Sequence, residues 1–171
     1  MEREMSGTNL ILTGMPASGK STAGVILAKI LGMDFLDSDL LIQKKAGKRL
    51  PEILAERGLS GFLALEEETV CGIGANQTVI ATGGSVIYGR KAMRHLKTLG
   101  RVVYLEVPYE LLEGRLMDIR QRGVVLRSGQ TLRELYDERV PLYEEWADLT
   151  VSEEGRTLEE TARALAELAG A

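Results

Sequence analysis

Cysteine occurs once in this chain, at Cys71, which excludes an internal disulfide framework and a cysteine-rich zinc site. A lone cysteine within "ETVCGIG" is expected to pack as a small apolar side chain. Histidine also occurs once, as His95 in "AMRHLKTLG", on a helical segment away from the strand ends, where a structural role is expected. No stretch approaches the ~18 apolar residues that span a bilayer. The charged start "MEREMSGTN" leads into no long apolar run, a pattern that predicts neither a secretion signal nor an anchor. An excess of positive charge is missing too. Lys and Arg number 21 against 25 Asp and Glu, giving −4, which argues against a nucleic-acid footprint. The expectation is a cytoplasmic protein with no membrane or nucleic-acid partner.

What is present is an ordinary folded composition, 44% hydrophobic and 27% charged over 171 residues, so a single domain spanning 1–171 is expected. Short apolar runs at 9–13, 34–39, 78–82, 101–107 and 148–151 predict strands. They alternate with helical patterns at 21–31, 51–75, 89–99, 109–119, 131–146 and 157–169. That alternation predicts an α/β fold with a parallel sheet wrapped by helices. The runs lack strict polar alternation, as strands buried on both faces do. The least regular piece, "RQRGVVLRSGQT" (120–131), reads either as a mobile lid or as an exposed connection.

Gly14-Met15-Pro16-Ala17-Ser18-Gly19-Lys20-Ser21 fits the phosphate-loop pattern G-x-x-x-x-G-K-[ST] in full. Chance supplies that pattern in roughly one chain of this length in two hundred, and here it also lies between an apolar strand and a helix. The glycines let the backbone curl until successive N–H groups face phosphate oxygens. The helix that follows aims its positive end at the same point. Lys20 can reach the β- and γ-phosphates of ATP, and the Ser21 hydroxyl can ligate Mg²⁺. The nucleotide-binding set is Gly14, Ala17, Ser18, Gly19, Lys20, Ser21 and Thr22.

Ligands of parallel sheets bind outside the carboxyl ends of the strands. Asp37 and Asp39 fall there, after the second strand. In extended chain their spacing of two points both carboxylates the same way. One would serve near Mg²⁺ and one would accept from a hydroxyl; the alternative is an acidic loop start or helix cap. Gly83 and Gly84 end the third strand, either as a close-approach surface for substrate or γ-phosphate or as a plain tight turn. Arg139, in "DERVPLY", and Arg122, in the irregular segment, complete the candidates.

Together these residues resemble the shikimate kinase family, small P-loop kinases that phosphorylate one hydroxyl of shikimate with MgATP. The resemblance covers nearly the whole chain in order. It runs through "GMPASGKST", "FLDSD", "RLPEILAERGLSGFLALE", "VIATGG" and "DERVPLYEEWADLTV". It implies a five-stranded parallel sheet of order 2-3-1-4-5 and conversion of shikimate to shikimate 3-phosphate, toward aromatic amino acids, by a monomer. Residue by residue it implies Lys20 and Ser21 on ATP and Mg²⁺, and Asp37 on the metal side. Asp39 is implied as the carboxylate that binds substrate hydroxyls and helps deprotonate one. Gly83 and Gly84 are implied at the substrate, Arg139 on the substrate carboxylate and Arg122 on the phosphates as the lid arginine. Arg115 and Arg156 fall near the adenine.

The chain departs from the family pattern at four places. F-R-x-x-E reads Phe62-Leu63-Ala64-Leu65-Glu66, so a carboxylate-clamping arginine is Leu63. G-E reads Gly58-Leu59, the third glycine of G-G-G is Ser85, and the lid's R-P-L-L reads Arg122-Gly123-Val124-Val125. Two explanations stay open. The chain is a divergent shikimate kinase in which Arg139 and another arginine, Arg57 or Arg127, hold the carboxylate. Or it is a sister kinase in which an apolar Leu63 inside the pocket selects a different hydroxylated metabolite. A nucleotide hydrolase or switch, and a non-catalytic ATP-binding protein, are the rival classes. Intact Lys20, Ser21, Asp37 and Asp39 argue against the second of these.

Overall fold

The computed structural model describes residues 9–116, 124 and 126–170. Five strands, Asn9–Thr13 (β1), Asp34–Asp37 (β2), Thr78–Ala81 (β3), Gly100–Glu106 (β4) and Leu149–Ser152 (β5), form one sheet of order β2-β3-β1-β4-β5. Every pairing is parallel, as the alternation with helices requires. Of the three interior strands, β1 and β3 are buried throughout and β4 over Val102–Leu105, which is why their sequences run largely apolar without a polar beat. Alternate residues go to opposite faces. Ile11, Ile80, Val102 and Tyr104 join one cluster, while Leu10, Leu12, Val79, Val103 and Leu105 join the other.

The helices are Lys20–Leu31 (α1), Ser38–Ala46 (α2), Leu50–Cys71 (α3), Arg90–Leu99 (α4), Tyr109–Arg115 (α5), Leu132–Trp146 (α6) and Leu158–Ala169 (α7), with a 3-10 turn at Val86–Tyr88. Leu27 and Ala28 of α1 and Ala162 and Leu165 of α7 cover one face. Met93 and Leu96 of α4, Leu112 of α5, and Leu135 and Tyr143 of α6 cover the other. A third cluster, Ile42, Ile53, Phe62 and Leu65, seals α2 against α3. Thr131 and Thr157 open α6 and α7 with reciprocal capping boxes to Glu134 and Glu160, the S/T-x-x-E signature of a helix start.

The structure corrects several expectations. The strand expected at 34–39 stops at Asp37, and Ser38–Ala46 is a helix that the apolar pattern did not announce. Asp37 caps it: its Oδ1 accepts from the Asp39 amide at 2.9 Å, and aspartate at this position favours helix initiation over strand continuation. The helix expected at 51–75 ends at Cys71 and is broken at Gly58, whose φ of 69° only glycine adopts readily. Cys71 is exposed rather than packed. His95 is structural, with Nε2 donating to the Ile73 carbonyl at 2.7 Å.

Candidate active site

The phosphate loop leaves the carboxyl end of β1 and enters α1 through three residues of positive φ: Gly14 (148°), Ala17 (60°) and Gly19 (85°). A Cβ on Gly14 would stand 2.7 Å from the Leu105 carbonyl oxygen, so the first position tolerates nothing larger than glycine. Gly19 is the left-handed cap of α1, and no side chain caps the helix. Its first N–H groups remain to meet an anion. Ser18 is buried and serves the loop itself, its amide donating to the Met15 carbonyl at 3.1 Å. Lys20 is buried at 7% exposure and donates to the carbonyls of Gly14 (2.8 Å) and Met15 (2.7 Å) and to Ser18 Oγ (3.2 Å). Burial lowers its pKa to about 8, with Asp39, Asp37 and Glu153 opposing the shift.

Ser21 and Thr22 sit exposed on the first turn of α1. Ser21 Oγ donates to Asp37 Oδ2 at 2.6 Å, so the two residues assigned to the metal meet. Both present hard oxygens, a hydroxyl and a carboxylate. This donor set suits Mg²⁺, which is commonly held by one or two protein oxygens plus substrate phosphates. Among the described residues no cluster of three or more acidic, histidine or cysteine ligands competes for such a role.

A cleft of about 260 Å³ opens from the loop and is lined also by Asp39, Thr82, Gly83, Gly84, Ser85 and Arg139, with Leu50 and Phe62 as its apolar lining. Asp37 and Asp39 do not point the same way, because the helix starts between them. Asp37 faces Ser21, whereas Asp39 faces Gly83, where an added Cβ would stand 2.6 Å from its Oδ1. Burial pushes the Asp39 carboxyl up to about 6, Asp37 adding and Lys20 opposing. Gly83 and Gly84 sit tightly against the protein's own side chains, a Cβ on Gly83 also standing 2.8 Å from Glu66 Oε2. A Cβ on Gly84 would stand 2.8 Å from Pro16 Cδ and 2.9 Å from Arg139 Nη1. Arg139, on α6, is 1% exposed and reaches the cleft.

Arg115 donates to Glu153 Oε2 (2.9 Å) and to the Ala17 carbonyl (3.3 Å). The Arg156 amide donates to the Glu153 carbonyl at 3.0 Å. Arg115 thus touches the phosphate loop, whereas the Arg156 guanidinium donates to the Ser152 carbonyl at 2.8 Å. Arg122 lies outside the described residues, as does most of 117–125; Val124 lines the cleft.

Leu63 is half-buried against the Ile42–Ile53–Phe62–Leu65 cluster and is not among the cleft-lining residues, where Phe62 stands instead. Arg57 is exposed, and Arg127, 65% exposed, pairs with Glu138 at 3.5 Å; neither lines the cleft. Lys20 and Arg139 are therefore the cations among the described residues of its wall.

Glu66, whose sequence context gives it no evident role, is 2% exposed behind Gly83 and Ser85. Ser85 Oγ donates to Glu66 Oε1 at 2.7 Å, so the residue that replaces the third glycine holds the motif's acid. Burial pushes the Glu66 carboxyl up to about 7; Ser85 opposes this, Asp39 adds to it and Arg139 opposes. Because its ordinary value is 4.5, the unfolded chain releases this proton first, and stability falls as pH rises from there through about 7. Glu66→Gln removes that dependence. Its stability relative to wild type, measured by denaturant titration, grows by on the order of 2–3 kcal/mol between about pH 4.5 and pH 8. A pH-independent difference would contradict the burial of an ionising group here.

An uncapped phosphate loop and an acid–arginine cleft at the carboxyl end of a 2-3-1-4-5 sheet define a P-loop kinase, with ATP as donor and an alcohol group as acceptor. The family model described as shikimate kinase matches residues 16–169. The chain is 37% identical over 172 residues to a shikimate kinase of Nostoc punctiforme, covering 98% of this chain and 94% of that one. It is 39% identical over 169 residues to one of Gloeobacter violaceus, covering 95% and 94%. The solved shikimate kinase from Acinetobacter baumannii in complex with shikimate matches with a TM-score of 0.86 at 33% identity, covering 96% of this chain and 93% of that one. The chain belongs to the shikimate kinase family.

Proposed function

We propose that this protein transfers the γ-phosphoryl group of ATP to one hydroxyl of shikimate, giving shikimate 3-phosphate and ADP. The observation that carries the reading is that Lys20, Ser21, Asp39, Gly83, Gly84 and Arg139 all line one cleft. The loop amides and Lys20 cradle the β- and γ-phosphates. Mg²⁺ held by Ser21 and Asp37 supplies charge neutralisation at the phosphate oxygens when bound. Asp39 accepts the hydrogen bond of the attacking hydroxyl and takes its proton late. Arg139 holds the acceptor's carboxylate and so fixes which hydroxyl faces the γ-phosphorus, a positioning effect. Arg122 supplies positive charge to the phosphates, and Arg115 and Arg156 hold the adenine end. The unit is one domain acting as a monomer in the cytoplasm.

Placing the carboxylate on Arg139 has a measurable consequence. A charge-assisted contact to an anion contributes about 1.5–3 kcal/mol. Arg139→Ala accordingly raises the shikimate KM by roughly ten- to over a hundredfold and leaves the ATP KM nearly unchanged. Steady-state kinetics with each substrate varied in turn tests this. A rise confined to the ATP KM would move Arg139 to the nucleotide side.

A further inference from the structure

A carboxylate stands behind the phosphate loop, where an anion site would be expected to exclude one. Glu153 follows β5 and is 1% exposed. Its backbone is clamped on both sides, the amide donating to the Glu106 carbonyl at 2.9 Å and the carbonyl accepting from the Arg156 amide at 3.0 Å. A Cβ on Gly19 would stand 3.3 Å from Glu153 Oε1 and would also meet Leu158 Cδ2. The acid therefore lies against the last glycine of the loop. Oε1 has no hydrogen-bond partner among the described residues. Oε2 accepts from Arg115 Nη1 at 2.9 Å, and the same nitrogen donates to the Ala17 carbonyl at 3.3 Å. Nη1 carries two hydrogens, one for each acceptor. Ala17 has a φ of 60°, a left-handed conformation that costs free energy outside glycine.

Arg115 thus joins the end of α5 to the end of β5 and to the bend of the loop. Its side chain is 31% exposed, and the buried carboxylate fixes it in that bridge. The need is mutual. Unpaired, Glu153 would set a negative charge at the back of the loop that receives the ATP phosphates, where little water screens the repulsion.

We infer that Arg115 and Glu153 are a positioning pair for the phosphate loop: Arg115 neutralises the buried acid behind Gly19 and ties it to the Ala17 carbonyl, so the loop receives a triphosphate braced and with no bare negative charge at its back. The inference rests on the nucleotide-site reading given above and deepens it, because it gives Arg115 a task on the phosphate side that does not involve the adenine.

The test uses two ligands on the full chain, MgATP and magnesium tripolyphosphate, which carries the phosphates without the adenine. Dissociation constants from calorimetry are compared for the wild type, Arg115→Ala, Glu153→Gln and the double variant. Arg115→Ala is expected to weaken tripolyphosphate about ten- to a hundredfold, the range of a lost charge-assisted contact, and ATP by at least as much. Glu153→Gln alone should move either constant by less than about threefold, because glutamine still accepts from Nη1. Added to Arg115→Ala, the same substitution should recover at least about threefold of the loss, since it removes the bare carboxylate. The shikimate KM at saturating ATP stays within about twofold throughout, a split that general loosening of the fold does not produce. Should Arg115→Ala not fold, Arg115→Gln, which keeps a donor and loses the charge, takes its place with the same order expected. Losses confined to ATP, with tripolyphosphate unmoved, overturn the inference and leave Arg115 to the adenine. A double variant as weak as Arg115→Ala, or weaker, overturns it by making the pair merely structural. If the wild type binds neither ligand, the nucleotide-site reading falls and takes the inference with it.

Discussion

Replacing Asp39 with asparagine should lower kcat on the order of 10²- to 10⁴-fold, the range general-base removal covers, and leave ATP binding nearly intact. The geometry separates the two functions. Asp39 faces Gly83 on the acceptor side of the cleft, whereas Asp37 is committed to Ser21 and to the cap of α2. Asparagine keeps the size and can still accept a hydrogen bond, but it cannot take a proton. Shikimate therefore still binds, and the loss falls in kcat more than in KM. Nucleotide affinity measured by fluorescence titration, beside turnover, checks this. Equal loss of both would place Asp39 on the nucleotide side.

Lys20→Met is expected to lower kcat about 10²- to 10³-fold, the cost of removing one preorganised donor from developing charge. Methionine matches the length of the stem, so packing is retained while the ammonium is lost. That ammonium lies under the loop, bonded to the carbonyls of Gly14 and Met15, within reach of the phosphates that the loop amides surround. Charge accumulates there in the transition state more than in bound ATP, so kcat should fall further than the ATP KM rises. A variant with normal kcat and only a raised ATP KM would reduce Lys20 to a ground-state contact.

The sheet could be read from the sequence because its interior strands are buried on both faces and so carry uninterrupted apolar runs. The phosphate loop could be read because backbone geometry fixes residue type at Gly14 and Gly19. Legibility fails where a short-range choice competes with a pattern. "FLDSD" satisfies a strand up to Asp37, whose side chain closes on the Asp39 amide and turns the chain into α2. It fails again where partners are far apart in sequence. Glu66 and Ser85 are 19 residues apart and Tyr88 and Glu138 are 50 apart. In one dimension Ser85 reads as a lost glycine and Tyr88 as part of a turn. Leu63 illustrates the same gap: the sequence records a missing arginine, whereas only the packing of α2 on α3 shows that the leucine lies against that cluster.

ADP release with MgATP, without acceptor and then with shikimate, decides whether shikimate is the acceptor. Little release with ATP alone, and brisk release on adding shikimate at micromolar to low millimolar KM, is the result this account predicts, with Arg139 sufficient in place of a second clamping arginine. No shikimate-dependent release, with ATP still bound and another hydroxylated metabolite active, would contradict it and make "GFLALE" the mark of a changed acceptor on the same phosphoryl-transfer frame.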